Sequence, residues 1–416
     1  MRTTRTVRRQ VHRLTGEEGR TEDGADKVYR GPAGNVTGMA AAQGLKLRKF
    51  GFIVHPLSYE DVLRYEPKAA GKGQALIRKI LEWMPAYRVC DIVGVRSRTG
   101  EEIMGHFIGV PLMPDQFLSL PRAEVMARII RGTNLAAELG CGIVGLGGFT
   151  AVVGDGGITV AENSPIAVTS GNSYTIAAAM QSLFRGAREM EIDLAGARAA
   201  VIGATGSIGS ACAQILGNEV SQVTLAARNA TRLAKLTHAM QSHVKAKLAW
   251  TTDIAEAVQH ADLVLTATAA TSSVVEPEDL RPGAVVCEVS LPHDVSRRVA
   301  TERDDVLVTE GGNVKVPGDV NFNFDFGLPP QMSLACMAET MILTLENRMV
   351  NYSLGRGVNL DKVLEIQRLA EKHGFELAGM RAFDKPVTEE QIAHTRERAR
   401  AARLAGDRPP AGVALS

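Results

Sequence analysis

Apolar and polar positions follow two rhythms along this chain, and their order predicts an α/β protein made of more than one unit. The run KFGFIVHPLS reads as a strand closed by a proline turn, and LSYEDVLRYEP follows with helical spacing. VCDIVGVRS and EEIMGHFIGVPL are short apolar or alternating runs separated by turn residues, as strands are. PRAEVMARIIRGTNLAAELG is apolar at helical intervals and stops at Gly140. These elements predict a mixed α/β domain over 48–190.

A steadier alternation follows. ARAAVIGATGSIGSACAQILG is a strand, a glycine turn and an amphipathic helix; QVTLAARN, AEAVQHADLVLTATAA, GAVVCEVSLPHDV and VLVTEGG continue the βαβ rhythm. This predicts a doubly wound parallel sheet over 191–328, with a ligand crevice at the carboxyl ends of its strands. The loop from Thr266 and Ala267 to Ala270 and the loop from Ser290 to His293 then face the nicotinamide half of that crevice. QMSLACMAETMILTLEN, after Pro329-Pro330, opens a C-terminal helical segment over 329–382, and a charged helix and tail fill 383–416. Residues 1–47, rich in Arg, Gly, Thr and charge, have little apolar periodicity and predict a disordered extension.

Two stretches of the first domain admit two readings each. The glycine-dense run GCGIVGLGGFTAVVGDGG is either a kinked core strand and loop or a strand tip that lets a ligand lie against backbone N–H groups. VTSGNSYTIAAAMQSLF begins a helix whose first turn carries Thr169, Ser170, Asn172, Ser173 and Thr175, either as caps or as the lining of a pocket.

Composition narrows the function classes. With 416 residues, 45% of them hydrophobic, the chain can bury two or three cores. Its formal net charge of +1 gives no global field toward nucleic acid or an anionic membrane. The 5 cysteines are odd in number and show neither a CxxC pair nor metal-ligand spacing, which predicts a reducing compartment and no metal site. No signal-peptide core follows the basic start, and no run of about 18 apolar residues occurs, so a soluble cytoplasmic protein is expected.

The strongest local signal is Gly203-x-x-Gly206-x-x-Gly209 between strand and helix. Gly203 permits the turn, Gly206 lets the backbone approach a pyrophosphate, and Gly209 packs helix against strand; Ala204, Thr205, Ser207 and Ile208 complete the loop. The pyrophosphate rests on helix N-terminal N–H groups. After the second strand, where a carboxylate would bind ribose hydroxyls, stand Arg228 and Asn229 with Arg232 close behind. A guanidinium there suits a 2′-phosphate, so NADPH is the expected cofactor.

Free cysteines are usually core, and Cys90, Cys141, Cys212 and Cys287 are read so. Cys336 differs: it lies within about two turns of a helix start, where free N–H groups stabilise a thiolate.

From about Phe50 to Gly379 the chain resembles the long-chain acyl-(acyl-carrier-protein) reductases best known from cyanobacteria. The resemblance runs in order through FGFIVHPLS, GLGGFTAVV, TSGNSYTIAAA, VIGATGSIGSA, AARNATRL, EGGNV, LACMAETMILTLEN, YSLGRG and KHGFELAG. It implies that Cys336 is an acyl-accepting nucleophile and that an acyl thioester from acyl carrier protein or acyl-CoA is reduced by NADPH to an aldehyde. It further implies an α/β domain, a Rossmann domain and C-terminal helices that return to the first domain, with an aldehyde-consuming enzyme as a possible partner.

Within that chemistry Asn172, Thr175 or N–H groups near Gly147-Gly148 would hold the oxyanions, and His55 or His373 would donate a proton. Phe322, Phe324 and Phe326 line an acyl tunnel or form one buried strand face. Glu339, on the same helix face as Cys336, would raise the thiol pKa, so a capping or hydrogen-bonding role rather than activation is expected of it.

The resemblance is loose in places. The ends before 48 and after about 382 have no counterpart, EVSLPHD at 288–294 replaces a glycine-containing segment, and 315–330 matches poorly. Two rival readings remain: an NADP-linked dehydrogenase of the shikimate or amino-acid dehydrogenase-like superfamily with an inert Cys336, and a non-catalytic nucleotide-binding sensor or scaffold.

Overall fold

The computed structural model describes residues 47–406. The extension predicted over 1–47 lies, but for its last residue, outside the described residues, as does the tail beyond 406.

The first sheet has the order β2-β3-β1-β4-β5, with β1 Arg48–Val54, β2 Tyr87–Arg96, β3 Glu102–Gly109, β4 Ile143–Leu146 and β5 Ala167–Thr169. β1 runs parallel to β3 and β4, β4 parallel to β5, and β2 antiparallel to β3. Alternation sends Phe50, Phe52 and Phe107 to one face and Ile53, Ile108 and Val144 to the other. The second face is covered by the helix Arg122–Glu138 through Val125, Ile129 and Ala136. The first is covered by the helix Ala335–Leu345, which packs on β1 and β4. Gly145 makes room for it, since a Cβ there would fall 2.2 Å from Thr340 Oγ1.

The second sheet is wholly parallel in the order β11-β10-β9-β6-β7-β8, with β6 Arg198–Ile202, β7 Gln222–Ala226, β8 Lys247–Thr251, β9 Leu263–Thr266, β10 Val285–Glu288 and β11 Leu307–Glu310. Chain order reverses between β6 and β9, so the fold is a Rossmann-type doubly wound sheet whose switch point lies at that pair. The helix Asn172–Glu189 serves both sheets. Its N-terminus meets the Ala335 helix, and its later turns pack on β10 and β11, where Gly186 abuts Val285 and Gly311 abuts Ala179.

One expectation changes. Pro329-Pro330 does not start the Cys336 helix: β13 Met332–Leu334 intervenes, paired with β12 Asn313–Lys315, and the helix begins at Ala335. Cys336 therefore sits in the first turn. The charged C-terminal helix Glu389–Gly406 touches both units, with Arg396 donating to Glu189 O at 2.7 Å and Arg403 Nε to Pro282 O at 3.2 Å. A helix Gln74–Trp83 was not foreseen. Among the described residues no helix is long and apolar enough to cross a membrane.

Candidate active site

The glycine turn after β6 is built for close approach. Gly203 has φ +82°, and a Cβ there would fall 2.2 Å from Ala267 O; one on Gly209 would fall 2.5 Å from Gly203 O. Gly206 N–H closes the turn on Gly203 O at 2.9 Å, and Gly206 then caps the helix Ser207–Leu216 with no side-chain acceptor for its first N–H groups. Those donors are what an anionic pyrophosphate takes up. Ala204 is buried beneath the turn, while Thr205, Ser207 and Ile208 stay accessible.

Beyond β7, Arg228 and Arg232 are exposed and form no ion pair among the described residues. Asn229 is put to another use: its Oδ1 accepts from Arg232 N–H at 2.9 Å and caps the next helix. Thr266 is fully buried, and among the described residues its hydroxyl has no hydrogen-bond partner. Ser290 is also committed, donating to Asp294 Oδ2 at 2.6 Å and accepting from Thr268 N–H at 2.7 Å. This knot of Thr268, Ser290 and Asp294 ties the β9 and β10 loops together.

Cys336 is half-buried, with Cys90 the other thiol so placed, whereas Cys141, Cys212 and Cys287 are buried. Cys90 donates to Phe322 O at 3.2 Å, away from the nucleotide turn. Burial pushes the Cys336 thiol up to about 12, the Met337 N–H opposes this, and the Glu339 carboxylate adds to the rise. The first-turn N–H groups do not overcome burial, so the resting thiol is neutral, contrary to the thiolate expected from the helix start.

Gly171 lies directly on Cys336: with φ +76°, a Cβ there would fall 2.3 Å from Cys336 Cα. The N-terminus of the Asn172 helix is thus brought to the cysteine. Glu339 fixes it there, accepting from Thr169 Oγ1 at 2.5 Å and from Tyr174 N–H at 2.8 Å. The capping role expected of Glu339 is what its geometry provides, and burial raises its pKa against these hydrogen bonds. Ser353 Oγ takes the Ser173 N–H at 3.2 Å. The Asn172 N–H is left as the open first-turn donor among the described residues, and Asn172 Nδ2 reaches Ser207 Oγ at 2.9 Å.

Thr175, Gly147 and the two histidines are engaged elsewhere. Thr175 Oγ1 donates to Gly171 O at 2.9 Å, within its own helix. Gly147 N–H goes to Ile53 O at 3.1 Å. His55 Nε2 accepts from Phe149 N–H at 3.0 Å, its Nδ1 lies 3.0 Å from Pro56 O, and its ring packs against Phe117 and Phe149. Burial lowers its pKa to about 4, so it is a neutral strut. His373 is buried between Ser97 Oγ at 2.8 Å and Glu346 Oε1 at 2.7 Å. Phe322, Phe324 and Phe326 pack on Phe107 of β3, with Phe322 and Phe326 edge to face at 5.0 Å; they form a packed aromatic face over the sheet.

Sequence reasoning missed Gly171 and the contact from Asn172 to Ser207. A glycine before a polar helix start was the signal for the first. Nothing local announces the second, whose partners are 35 positions apart.

The family model for shikimate / quinate 5-dehydrogenase matches residues 186–309. An aminotransferase PigE from a Serratia species is 32% identical over 356 residues, 83% of this chain and 41% of that protein, so the chain spans under half of that relative. A long-chain acyl-[acyl-carrier-protein] reductase of Synechococcus elongatus is 26% identical over 350 residues, 79% of this chain and 98% of that protein. Shikimate 5-dehydrogenase of Listeria monocytogenes, solved with shikimate and NAD, superposes with a TM-score of 0.35 at 11% identity over 80% of this chain and 99% of that one. The chain carries an NAD(P)-binding Rossmann domain of the oxidoreductase type.

Proposed function

We propose that this protein reduces an acyl thioester, carried by acyl carrier protein or coenzyme A, to an aldehyde through an acyl-enzyme on Cys336, with NADPH as reductant. The observation that carries the reading is the meeting of a half-buried cysteine, an open helix N-terminus and a nucleotide turn at one place: Gly171 lies on Cys336, and Asn172 touches Ser207. Likeness along the chain to an acyl-carrier-protein reductase supports it. The free guanidinium groups of Arg228 and Arg232 favour a 2′-phosphate, and hence NADPH over NADH.

In the first half-reaction Cys336 Sγ bonds to the acyl carbon and the carrier sulfur leaves, taking the proton that the raised thiol gives up. The Asn172 N–H and the second Nδ2 hydrogen of Asn172 are the available oxyanion donors. When bound, the nicotinamide supplies the hydride. The resulting hemithioacetal oxyanion collapses by breaking the C–S bond, which releases aldehyde and returns the electron pair to Sγ. That collapse needs no proton on the alkoxide, so the chemistry has no demand for His55 or His373. The thiolate then takes its proton from solvent.

The unit over 48–190, with the 329–382 segment, holds the acyl group, and 191–328 holds the nucleotide; the setting is the cytoplasm. Because the relative spanned to 41% of its length is named an aminotransferase, we assign the aldehyde to an amine-forming enzyme as its consumer.

Intact-protein mass after incubation with long-chain and short-chain acyl-loaded carrier protein, without nucleotide, tests the reading. Wild type should gain the acyl mass, Cys336→Ser should not, and NADPH should discharge the adduct as aldehyde faster than NADH. Absence of any adduct alongside clear NADPH binding would shift the assignment to direct hydride transfer on a small substrate, the chemistry of the family matched over 186–309.

A further inference from the structure

Asn172 and Ser207 belong to different units, yet one hydrogen bond joins them. Asn172 is the first residue of the helix whose cap, Gly171, lies on Cys336, and it is only 9% exposed. Ser207 is the first residue of the helix that follows Gly206. Asn172 Nδ2 donates to Ser207 Oγ at 2.9 Å. A hydroxyl has one hydrogen and two lone pairs, so a serine that accepts from an amide keeps its own hydrogen to give. Among the described residues Ser207 Oγ donates to nothing. Its position at the start of this helix is where a pyrophosphate oxygen would accept.

We propose that Ser207 is a positioning residue that couples the nucleotide to the acyl site: its hydroxyl accepts from Asn172 and donates to the pyrophosphate. This rests on the reading of Cys336 as acyl acceptor. A donor–acceptor chain polarises each of its members, so a phosphate oxygen that draws the Ser207 hydrogen strengthens the hold on Asn172. With its amide held, Asn172 keeps its remaining hydrogen and its backbone N–H toward Cys336. By linkage the coupling is reciprocal in binding: a residue of the acyl side contributes to nucleotide affinity without touching the nucleotide. The nucleotide thus readies the enzyme for acyl transfer before any hydride moves.

The test uses the full chain and two readouts. NADPH titration of Asn172→Ala needs no acyl donor; loss of one such hydrogen bond should weaken binding about 3- to 10-fold. In the second readout, saturating NADP⁺, which cannot reduce the adduct, should speed acylation of wild-type Cys336 by a similar factor. That response should vanish in Ser207→Ala and survive in Ser207→Thr, which keeps the hydroxyl. Should Asn172→Ala not fold, the Ser207 pair carries the decision alone. NADPH affinity of a folded Asn172→Ala equal to wild type, or an undiminished NADP⁺ response in Ser207→Ala, overturns the relay. A wild type that never acylates removes the thioester reading instead, and the Asn172→Ala titration then still decides whether the relay exists.

Discussion

Two glycine-rich regions adjoin the site, and they differ in what occupies the space a side chain would take. On the side of the first sheet that space is full of protein. A Cβ on Gly145 would strike Thr340 Oγ1 at 2.2 Å, one on Gly148 would strike His55 Nε2 at 2.5 Å, and one on Gly171 would strike Cys336 Cα at 2.3 Å. In the Rossmann turn, Gly203 closes on Ala267 of the loop after β9 and Gly209 on Gly203, but Gly206 is exposed, and a Cβ there would meet nothing nearer than Gly203 O at 3.2 Å. Glycine serves packing in the first region and access in the second. The first holds Cys336 in place, and the second leaves room for the nucleotide.

Gly171→Ala should break the first region most severely. The backbone there is left-handed, at φ +76°, and the added methyl would overlap the Cys336 main chain, which cannot rotate away. A loss of more than about 3 kcal/mol is expected in urea unfolding, together with loss of acylation. A variant with wild-type stability would show that the helix N-terminus and Cys336 are not in contact.

The contact at Gly148 can be tested with pH. Burial holds His55 near a pKa of about 4 against 6.5 for the free side chain. Its contribution is therefore complete above pH 6.5 and is lost as pH falls from there through 4, by up to about 3 kcal/mol. Denaturant midpoints should decline over that window in wild type, and the decline should be shallower in His55→Gln. Equal slopes in the two proteins would mean that the imidazole is not the half-buried neutral strut described.

The two regions were unequally legible. The strand before Gly203 and the helix after Gly209 gave the Rossmann turn its context, because βαβ chemistry is local. The first region had no such context: the partners of Thr169 and Tyr174 on Glu339 lie 170 and 165 positions away. Sequence shows residue type but not acceptor, which is why Thr175 and Ser290 read as ligand contacts although their hydroxyls are spent on protein. The helix Gln74–Trp83 was legible all the same: Leu76, Ile77, Ile80, Leu81 and Trp83 recur at helical spacing on one face, of which Ile77 and Leu81 are buried while Leu76 and Trp83 stay exposed. β8 is an edge strand with Trp250 exposed, and its short alternation lacks the apolar run of its neighbours.

Gly206→Ala isolates access from packing. At φ −80° and ψ 165° alanine is unstrained, and its methyl would stand 3.2 Å from the nearest protein atom, Gly203 O, a gap that a few tenths of an ångström of relaxation relieves. Stability without ligand should therefore stay within about 0.5 kcal/mol of wild type. Nucleotide affinity should fall about tenfold or more, because the methyl points where the pyrophosphate must approach the helix N–H groups. Calorimetric titration of NADPH alongside urea unfolding reads both quantities on one preparation. Equal loss of stability and affinity would make Gly206 a packing glycine like Gly171 and erase the contrast. Unchanged affinity would move the nucleotide off the turn, and Ser207 would then have no phosphate to meet.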